Sequence, residues 1–238
     1  MGPYPLFFCE NWDVLIEDLN ELNDELLSIS LVIGPFQKIP LQQFKQYFEV
    51  FFEYKEHFIL DTKLPLKKVI SSGRRQTARR SLRNLNVDLQ ISPQINLNEW
   101  FMLYTHLIAH HKIQGIRSFS KNSFEKQITI PNTHFFRVLY NSEVVGGNIF
   151  YIQNDIAYSH LSAFTEKGYE FQAGYAVKWS AIQELSKKVR WIELGGSTIT
   201  ENGVLDGLGQ FKKGWSSSSE RSYFCGKILN SNKYDRIT

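Results

Sequence analysis

Lys212 follows Phe211 in the stretch Gly207-Leu208-Gly209-Gln210-Phe211-Lys212-Lys213-Gly214-Trp215, a cation set inside a glycine-punctuated segment. It comes after Trp191-Ile192-Glu193-Leu194-Gly195-Gly196, whose apolar run and small-residue end read as a buried strand and a turn. A lysine so placed can aim its charge at the oxygen of a carbonyl under attack. The plainer reading is a solvated Lys212–Lys213 pair on a turn. Upstream, Tyr158, His160 and Ser162 alternate along one strand-like run and by period two share a face. His160 can take a proton from an amine directly or through water, or be a half-buried histidine satisfied by one hydrogen bond. Glu193, on a strand expected to be central, is either paired structurally or poised in a groove. Acyl transfer to an amine needs such parts: a deprotonated amine, a polarised carbonyl and a protonated leaving group. The chain holds no Gly-x-Ser-x-Gly nucleophile motif, which points to direct attack in a ternary complex.

The charges are segregated. Net charge is only +3, yet Lys63, Lys67, Lys68, Arg74, Arg75, Arg79, Arg80 and Arg83 follow one another with no acid between them. Before Lys38 there is no Lys or Arg, only the acids Glu10, Asp13, Glu17, Asp18, Glu21, Asp24 and Glu25. One concentrated basic element suits a local phosphate or acidic partner better than a general nucleic-acid surface. Arg74, Arg75 and Arg79 are candidate phosphate ligands because guanidinium binds phosphate with two parallel donors. Docking of this basic face on the acidic N-terminal helix is the competing explanation. His106 and His110 stand at i, i+4, but no third ligand accompanies them and no metal is expected.

The elements that must position these groups are readable from periodicity. Asn11 can cap a helix with Trp12, Leu15, Ile16, Leu19, Leu22 and Leu26 on one face. Ser28 to Ile33 alternates as a strand closed by Gly34-Pro35. Pro40 suits a first helical position, with Leu41, Phe44, Phe48 and Phe51 as the stripe. His57 to Leu60 is a short strand, and Pro65 opens a helix through Leu85 with a bend at Gly73. Val87 to Ile91 is a strand, Leu97 to His111 a helix, Lys121 to Ile128 a shorter one. His134–Tyr140, Val144–Ile152 and Ile156–Phe164 form an antiparallel meander broken at Asn141-Ser142-Glu143 and Asn154-Asp155. A helix over 171–188, the strand from Trp191, the Phe-Lys turn and a strand over 223–229 complete the chain. The order is α/β (α+β) with a mixed, mostly antiparallel sheet.

Residues 134–230 resemble the strand meander, donor helix, strand, helix and final strand of the GNAT acyltransferase superfamily. Three local stretches resemble its FemAB-like branch: Ser71-Ser72-Gly73-Arg74-Arg75-Gln76-Thr77-Ala78-Arg79-Arg80, Glu193-Leu194-Gly195-Gly196, and Gly207 through Trp215. The resemblance implies a GNAT-like twisted sheet flanked by helices, with a C-terminal domain over 93–238. Residues 1–92 would be an N-terminal portion, a degenerate GNAT-like half carrying the basic helix. It implies catalytic roles for Lys212, His160 and Tyr175, and substrate contacts from Arg74, Arg75, Arg79, Glu170, Ser162, Glu193 and Phe211. Gln172, Ala173 and Gly174 would face the acyl donor. One departure is visible: the donor loop reads Glu166-Lys167-Gly168-Tyr169-Glu170-Phe171-Gln172-Ala173-Gly174-Tyr175, without the regular Gly-x-Gly/Ala pyrophosphate cradle, and Glu170 would repel phosphate.

Composition bounds the rest. At 42% hydrophobic and 14% aromatic, 238 residues can bury a substantial core. Cys9 and Cys225 show neither disulfide nor zinc spacing, and Cys225 sits in an apolar run that predicts a buried free thiol. No apolar run approaches a membrane span, and no signal peptide is evident. Together with these bounds, the resemblance implies an expected cytoplasmic N-acyltransferase without a tightly bound cofactor, acting on an amine of a phosphate-bearing acceptor such as an amino-sugar nucleotide or cell-envelope precursor. The donor would be an acyl-CoA such as acetyl-CoA, a carrier-protein thioester or an aminoacyl-tRNA, and homodimerisation stays open. The competing class is a non-catalytic anion- or RNA-binding module of the same fold, with salt-dependent binding.

Overall fold

The computed structural model describes residues 6–9, 11–22, 25–37, 41–115, 118–197 and 205–236. In chain order the elements are α1 (Leu15–Glu21), β1 (Ser28–Ile33), α2 (Leu41–Lys45), β2 (Val50–Asp61), α3 (Leu66–Val69), α4 (Ser72–Ser81), β3 (Asn86–Ile91) and α5 (Leu97–His111). There follow α6 (Lys121–Ile128), β4 (Thr133–Tyr140), β5 (Glu143–Gln153), β6 (Ile156–Phe164), α7 (Glu166–Glu170), α8 (Ala173–Leu185), β7 (Trp191–Ser197), α9 (Gly207–Lys213), β8 (Ser218–Ile228) and α10 (Ser231–Tyr234). The eight strands are ordered β1-β8-β2-β7-β6-β5-β4-β3. β1/β8, β3/β4, β4/β5 and β5/β6 are antiparallel, and β6/β7 is parallel. This is the mixed, mostly antiparallel α/β sheet that the element order predicts. Among the described residues no helix is long and apolar enough to cross a membrane.

The chain makes two compact units, Met1–His57 with Gly196–Gly209 and Ser219–Thr238, and Phe58–Gly195 with Gln210–Ser218. The expected division at residue 92 falls elsewhere because β3 pairs along its whole length with β4, Asn86 opposite Leu139 through Ile91 opposite His134. Backbone pairing ties residues 86–91 to the meander, whatever the turn at Ser92-Pro93 suggests locally. In the first unit, Leu15, Leu19, Leu31, Ile33, Phe44, Phe48 and Cys225 form one apolar cluster. Cys225 is fully buried opposite Leu31, and desolvation pushes its thiol up to about 12.

Several local expectations need correction. α1 starts at Leu15 rather than behind Asn11, whose Oδ1 instead accepts from the Asp13 backbone N–H at 3.1 Å. Pro40, the expected helix opener, lies outside the described residues, as do Glu10 and Asp24 of the acidic run. Phe51 belongs to β2, stacked on Tyr223 with ring centroids 5.5 Å apart, not to the helical stripe of Phe44 and Phe48. The helix expected from Pro65 is two helices, and the break lies at Ser71, whose hydroxyl accepts from the Arg74 N–H, rather than at Gly73.

In the second unit the meander is a wall with two dressed faces. β5 alternates, so Ile149 and Tyr151 face one side and Asn148 and Phe150 the other. The first pair packs with Trp100, Leu103 and Tyr104 of α5 and Phe124 of α6. The other face receives α8, which also carries α4. α8 is apolar nearly all round, as a helix buried between two layers must be.

Candidate active site

The site grows out of an interruption in hydrogen bonding. The parallel ladder between β6 and β7 comprises only Ile156–Tyr158 against Trp191–Glu193, although β6 runs on to Phe164 and β7 to Ser197. A bulge disturbs β6 at the same level: Ile149 of β5 stands opposite Leu161 and Phe150 opposite Ser159, leaving His160 extra. Polar side chains collect where the ladder ends. Glu193 is 3% exposed, and its Oε1 accepts from the Gly195 N–H at 2.8 Å.

Lys178 rises from the middle of α8 into this cluster. It is 5% exposed, and its Nζ donates to Asn148 Oδ1 at 2.8 Å and to Ser159 Oγ at 3.1 Å. Its ammonium lies 5.1 Å from the Phe150 ring centroid. Burial first, and then the charge of Lys212, push the Lys178 amine down to about 7 against the opposing pull of Glu193. Asn148 is fully buried and held in turn, its amide donating to Leu161 O at 2.9 Å. Tyr158 is pushed well above the usual tyrosine range by burial and then by Glu193, so it stays protonated.

Lys212 arrives from α9. The expected turn is a helix here because Asp206 caps it, its Oδ1 accepting from the Gly209 N–H at 2.6 Å, and because Lys212 and Lys213 complement its C-terminal end. The Lys212 ammonium seats against Gly195, where φ is +94° and a β-carbon would come within 2.8 Å of Nζ. Glycine is needed on both counts. Behind Lys212, Phe211 stands edge-on to Tyr175 of α8 at 5.1 Å, and Trp215 packs on Tyr175 and Trp179 at 6.0 and 6.5 Å. Arg74 lies over Gly214, in the volume a side chain there would fill, and donates to Gln210 O at 3.2 Å. The four aromatic rings and Arg74 thus fix the helix that presents Lys212.

Of the sequence candidates, Lys212 and Glu193 belong to one cluster, and Ser162 is registered opposite Asn148 on the same face. Tyr175, Phe211 and Arg74 support α9. His160 goes elsewhere: the bulge turns it to the opposite face, where Nε2 donates to Gln127 Oε1 at 3.0 Å and the ring lies 4.9 Å from Tyr151. The period-two argument assumed an unbroken strand. Arg75 donates to Ile70 O at 3.0 Å, while Arg79 and Arg80 are exposed on α4. Glu170 is exposed beside Lys167 at 3.5 Å. His110 pairs with Glu166 at 3.1 Å, and no group of three His, Cys, Asp or Glu among the described residues could hold a metal.

The expected donor segment is folded on itself. Thr165 caps α7, and the N–H groups of Gly168, Tyr169, Phe171, Gln172 and Tyr175 are all bound within the segment. Gln172 takes the left-handed conformation, φ +56°, and Ala173, the first residue of α8, is fully buried.

Lys178, Asn148 and Ser159 escaped the sequence reading. Their signals were present: one lysine in the apolar run Ala173–Ile182, and one amide in the buried run Val144–Ile152. A lone polar group in such a run needs a partner, and here each is the other's.

No protein-family model and no curated protein matches the sequence. Solved structures do. FemX superposes with a TM-score of 0.69 at 11% identity, over 94% of this chain and 78% of that one. The C-terminal domain of a candidate lysylphosphatidylglycerol synthetase from Agrobacterium fabrum gives 0.67 at 16% identity, over 93% and 76%. L-PGS from Bacillus licheniformis gives 0.65 at 14% identity, over 94% and 75%. The fold is that of the GNAT superfamily in its FemAB-like form. Within this GNAT frame, the interrupted β6/β7 pair and the helix α8 hold the polar cluster.

Proposed function

We propose that the protein is an N-acyltransferase that forms an amide on an amine of a phosphate-bearing acceptor, such as an amino-sugar nucleotide or cell-envelope precursor. The observation that carries this reading is the cluster of buried Lys178 and Glu193 with half-buried Lys212 where the β6/β7 ladder stops. An amine and a carboxylate withdrawn from water, Lys178 and Glu193, cost roughly several kcal/mol of desolvation. Such a cost is characteristic of a working site. The likeness of the fold to FemX and L-PGS agrees with it.

Lys212 supplies the charge for the developing oxyanion, and Gly195 lets it approach. The neutral acceptor amine forms the C–N bond as the bond to the donor oxygen or sulfur breaks, and the one proton that the nitrogen loses ends on that leaving atom. Arg79 and Arg80, exposed on α4, suit an acceptor phosphate. The α7 segment, whose Gly168, Tyr169, Phe171 and Gln172 N–H groups are bound internally and which carries Glu166 and Glu170, favours aminoacyl-tRNA over a CoA thioester, whose pyrophosphate needs free backbone N–H groups. These substrates are cytoplasmic, and the proposal places the reaction there.

The test is transfer of a labelled acyl group from bulk aminoacyl-tRNA, and separately from acetyl-CoA, to a panel of UDP-amino sugars and muropeptide precursors. Amide product that Lys212→Met reduces about a hundredfold or more supports the reading. Tight, salt-sensitive anion binding that Lys212→Met leaves intact, with no product from either donor, would replace it by the anion-binding module.

A further inference from the structure

The chain lacks a Gly-x-Ser-x-Gly motif, yet the fold sets a serine against a buried base where two strands part. Ser159 is the first residue of β6 beyond the parallel ladder, which ends with Tyr158 opposite Glu193. The Lys178 Nζ lies 3.1 Å from the Ser159 Oγ. Asn148 clasps both groups, its Oδ1 accepting from Nζ at 2.8 Å and its Nδ2 donating to Oγ at 3.3 Å. Lys178 and Asn148 are buried and Ser159 is half-buried, so of the three it is the serine that solvent reaches. A hydroxyl bonded to a sealed amine is the core of a Ser–Lys dyad, in which the amine takes the hydroxyl proton as the oxygen attacks.

We infer that Ser159 is a nucleophile that carries the acyl group as an ester between donor and acceptor, with Lys178 as its general base. The second of its two steps rests on the acyltransfer reading, and the first does not. In the first, the neutral Lys178 amine takes the hydroxyl proton as Ser159 Oγ bonds to the donor carbonyl carbon. The bond from that carbon to the donor oxygen or sulfur breaks, and Lys178 passes the proton to the departing atom. In the second, the neutral acceptor amine bonds to the same carbon and the bond to Oγ breaks. The proton that the nitrogen loses ends on Oγ, which restores the serine. The amide-forming step is thus the one given above, with Ser159 Oγ as the leaving oxygen.

The serine borders the same gap as the cation assigned to the oxyanion. A β-carbon on Gly195 would stand 2.8 Å from the Lys212 Nζ and 3.9 Å from the Ser159 carbonyl oxygen. A carbonyl attacked from Ser159 therefore develops its negative charge beside Lys212. The hydrogen-bond pattern suits both states of the base. Protonated, Lys178 donates to Asn148 Oδ1 and to Ser159 Oγ; neutral, it keeps the first bond and turns its lone pair to the hydroxyl proton. Its amine, held down to about 7 by burial first and then by Lys212, is neutral in a large fraction of molecules near neutral pH. The other nucleophile types are placed elsewhere: Cys9 and Cys225 belong to the first unit, and His160 faces Gln127.

The first experiment requires no knowledge of the natural donor. The full chain is mixed with p-nitrophenyl acetate, a small activated ester; released p-nitrophenolate is followed by absorbance and the protein by peptide mass mapping. A burst of about one equivalent of p-nitrophenolate is expected, with the acetyl group on Ser159. Ser159→Ala should abolish the burst, and Lys178→Met should slow it about a hundredfold or more. Acetyl groups confined to Cys9 or to exposed lysines, with none on Ser159, overturn the inference. A burst equally fast in Lys178→Met overturns the role of the base. The second experiment is amide formation from bulk aminoacyl-tRNA and from acetyl-CoA. Product formed by Ser159→Ala at the wild-type rate overturns the inference and leaves acyl transfer standing by direct attack. Acetyl-Ser159 that forms but passes to no amine, with no amide from either donor, keeps the nucleophile and sinks the acyltransfer reading instead. Should Lys178→Met fail to fold, Ser159→Ala carries the burst test unaided.

Discussion

Replacing Lys178 by methionine is expected to make the protein more stable at neutral pH, and by an amount that changes with pH in a defined way. The amine titrates near 10.5 when exposed and about 7 in the folded chain. That difference is on the order of 5 kcal/mol against folding in acid, at about 1.4 kcal/mol per unit. Losing the two hydrogen bonds to Asn148 and Ser159 gives back roughly 2 to 3 kcal/mol. The net expectation near pH 6 is a gain of about 2 kcal/mol. Between about pH 7 and 10 the native state holds one proton fewer at Lys178 than the unfolded chain does. Raising pH therefore favours the native wild type, and the penalty that is complete below 7 fades toward 10.5. Methionine has no such term. The advantage of Lys178→Met over wild type should shrink by about 1.4 kcal/mol per pH unit from 7 to 9. Urea denaturation of both proteins at pH 6, 7, 8 and 9 measures it, since ionisations not coupled to Lys178 cancel in the difference. Parallel stability curves would refute the reasoning, because they would mean that Lys178 titrates alike folded and unfolded.

Gly195→Ala should cut turnover about a hundredfold and also lower stability by about 1 to 3 kcal/mol in urea denaturation, since a methyl group there displaces the Lys212 ammonium and the +94° backbone resists it. His160→Ala should leave kcat within about threefold and lower stability by about 1 kcal/mol, the worth of its bond to Gln127, as paired kinetic and denaturation measurements would show. Arg137 clasps Asp88 of β3 through Nε and Nη2, at 2.9 and 2.6 Å, and Glu99 of α5 at 2.6 Å. Arg137→Met should therefore lower thermal stability by about 4 to 8 °C in a melting curve, from a loss of about 2 kcal/mol.

What the sequence discloses and hides follows from the range of the forces involved. Ser28–Ile33, Lys121–Ile128 and the meander from Thr133 to Phe164 are legible because alternation and helical spacing are local and strong. Val50–Asp61 is read short, since Phe48 and Phe51 continue a helical spacing by chance while the strand is secured by pairing far along the chain. Gly207–Lys213 looks like a turn from its glycines, yet the Asp206 cap and the packing of Phe211 on Tyr175 make it helical. Lys212 and Glu193 are visible as chemistry in unusual surroundings. The partnership of Lys178 with Asn148 joins residues 30 apart on different elements. His160 is misread because a bulge is a property of two strands, while its residue pattern is written on one.

The two thiols give the molecule an internal clock. Cys9 is partly exposed, whereas Cys225 is sealed in the first unit with its thiolate suppressed. A thiol reagent should modify Cys9 promptly and reach Cys225 only when that unit opens. The lag between the two events, read by mass in a single sample, times the opening of the elements around β1 and β8. No label has to be introduced for the purpose. Added substrate that slows the second event but not the first would link occupancy of the site to the breathing of that unit.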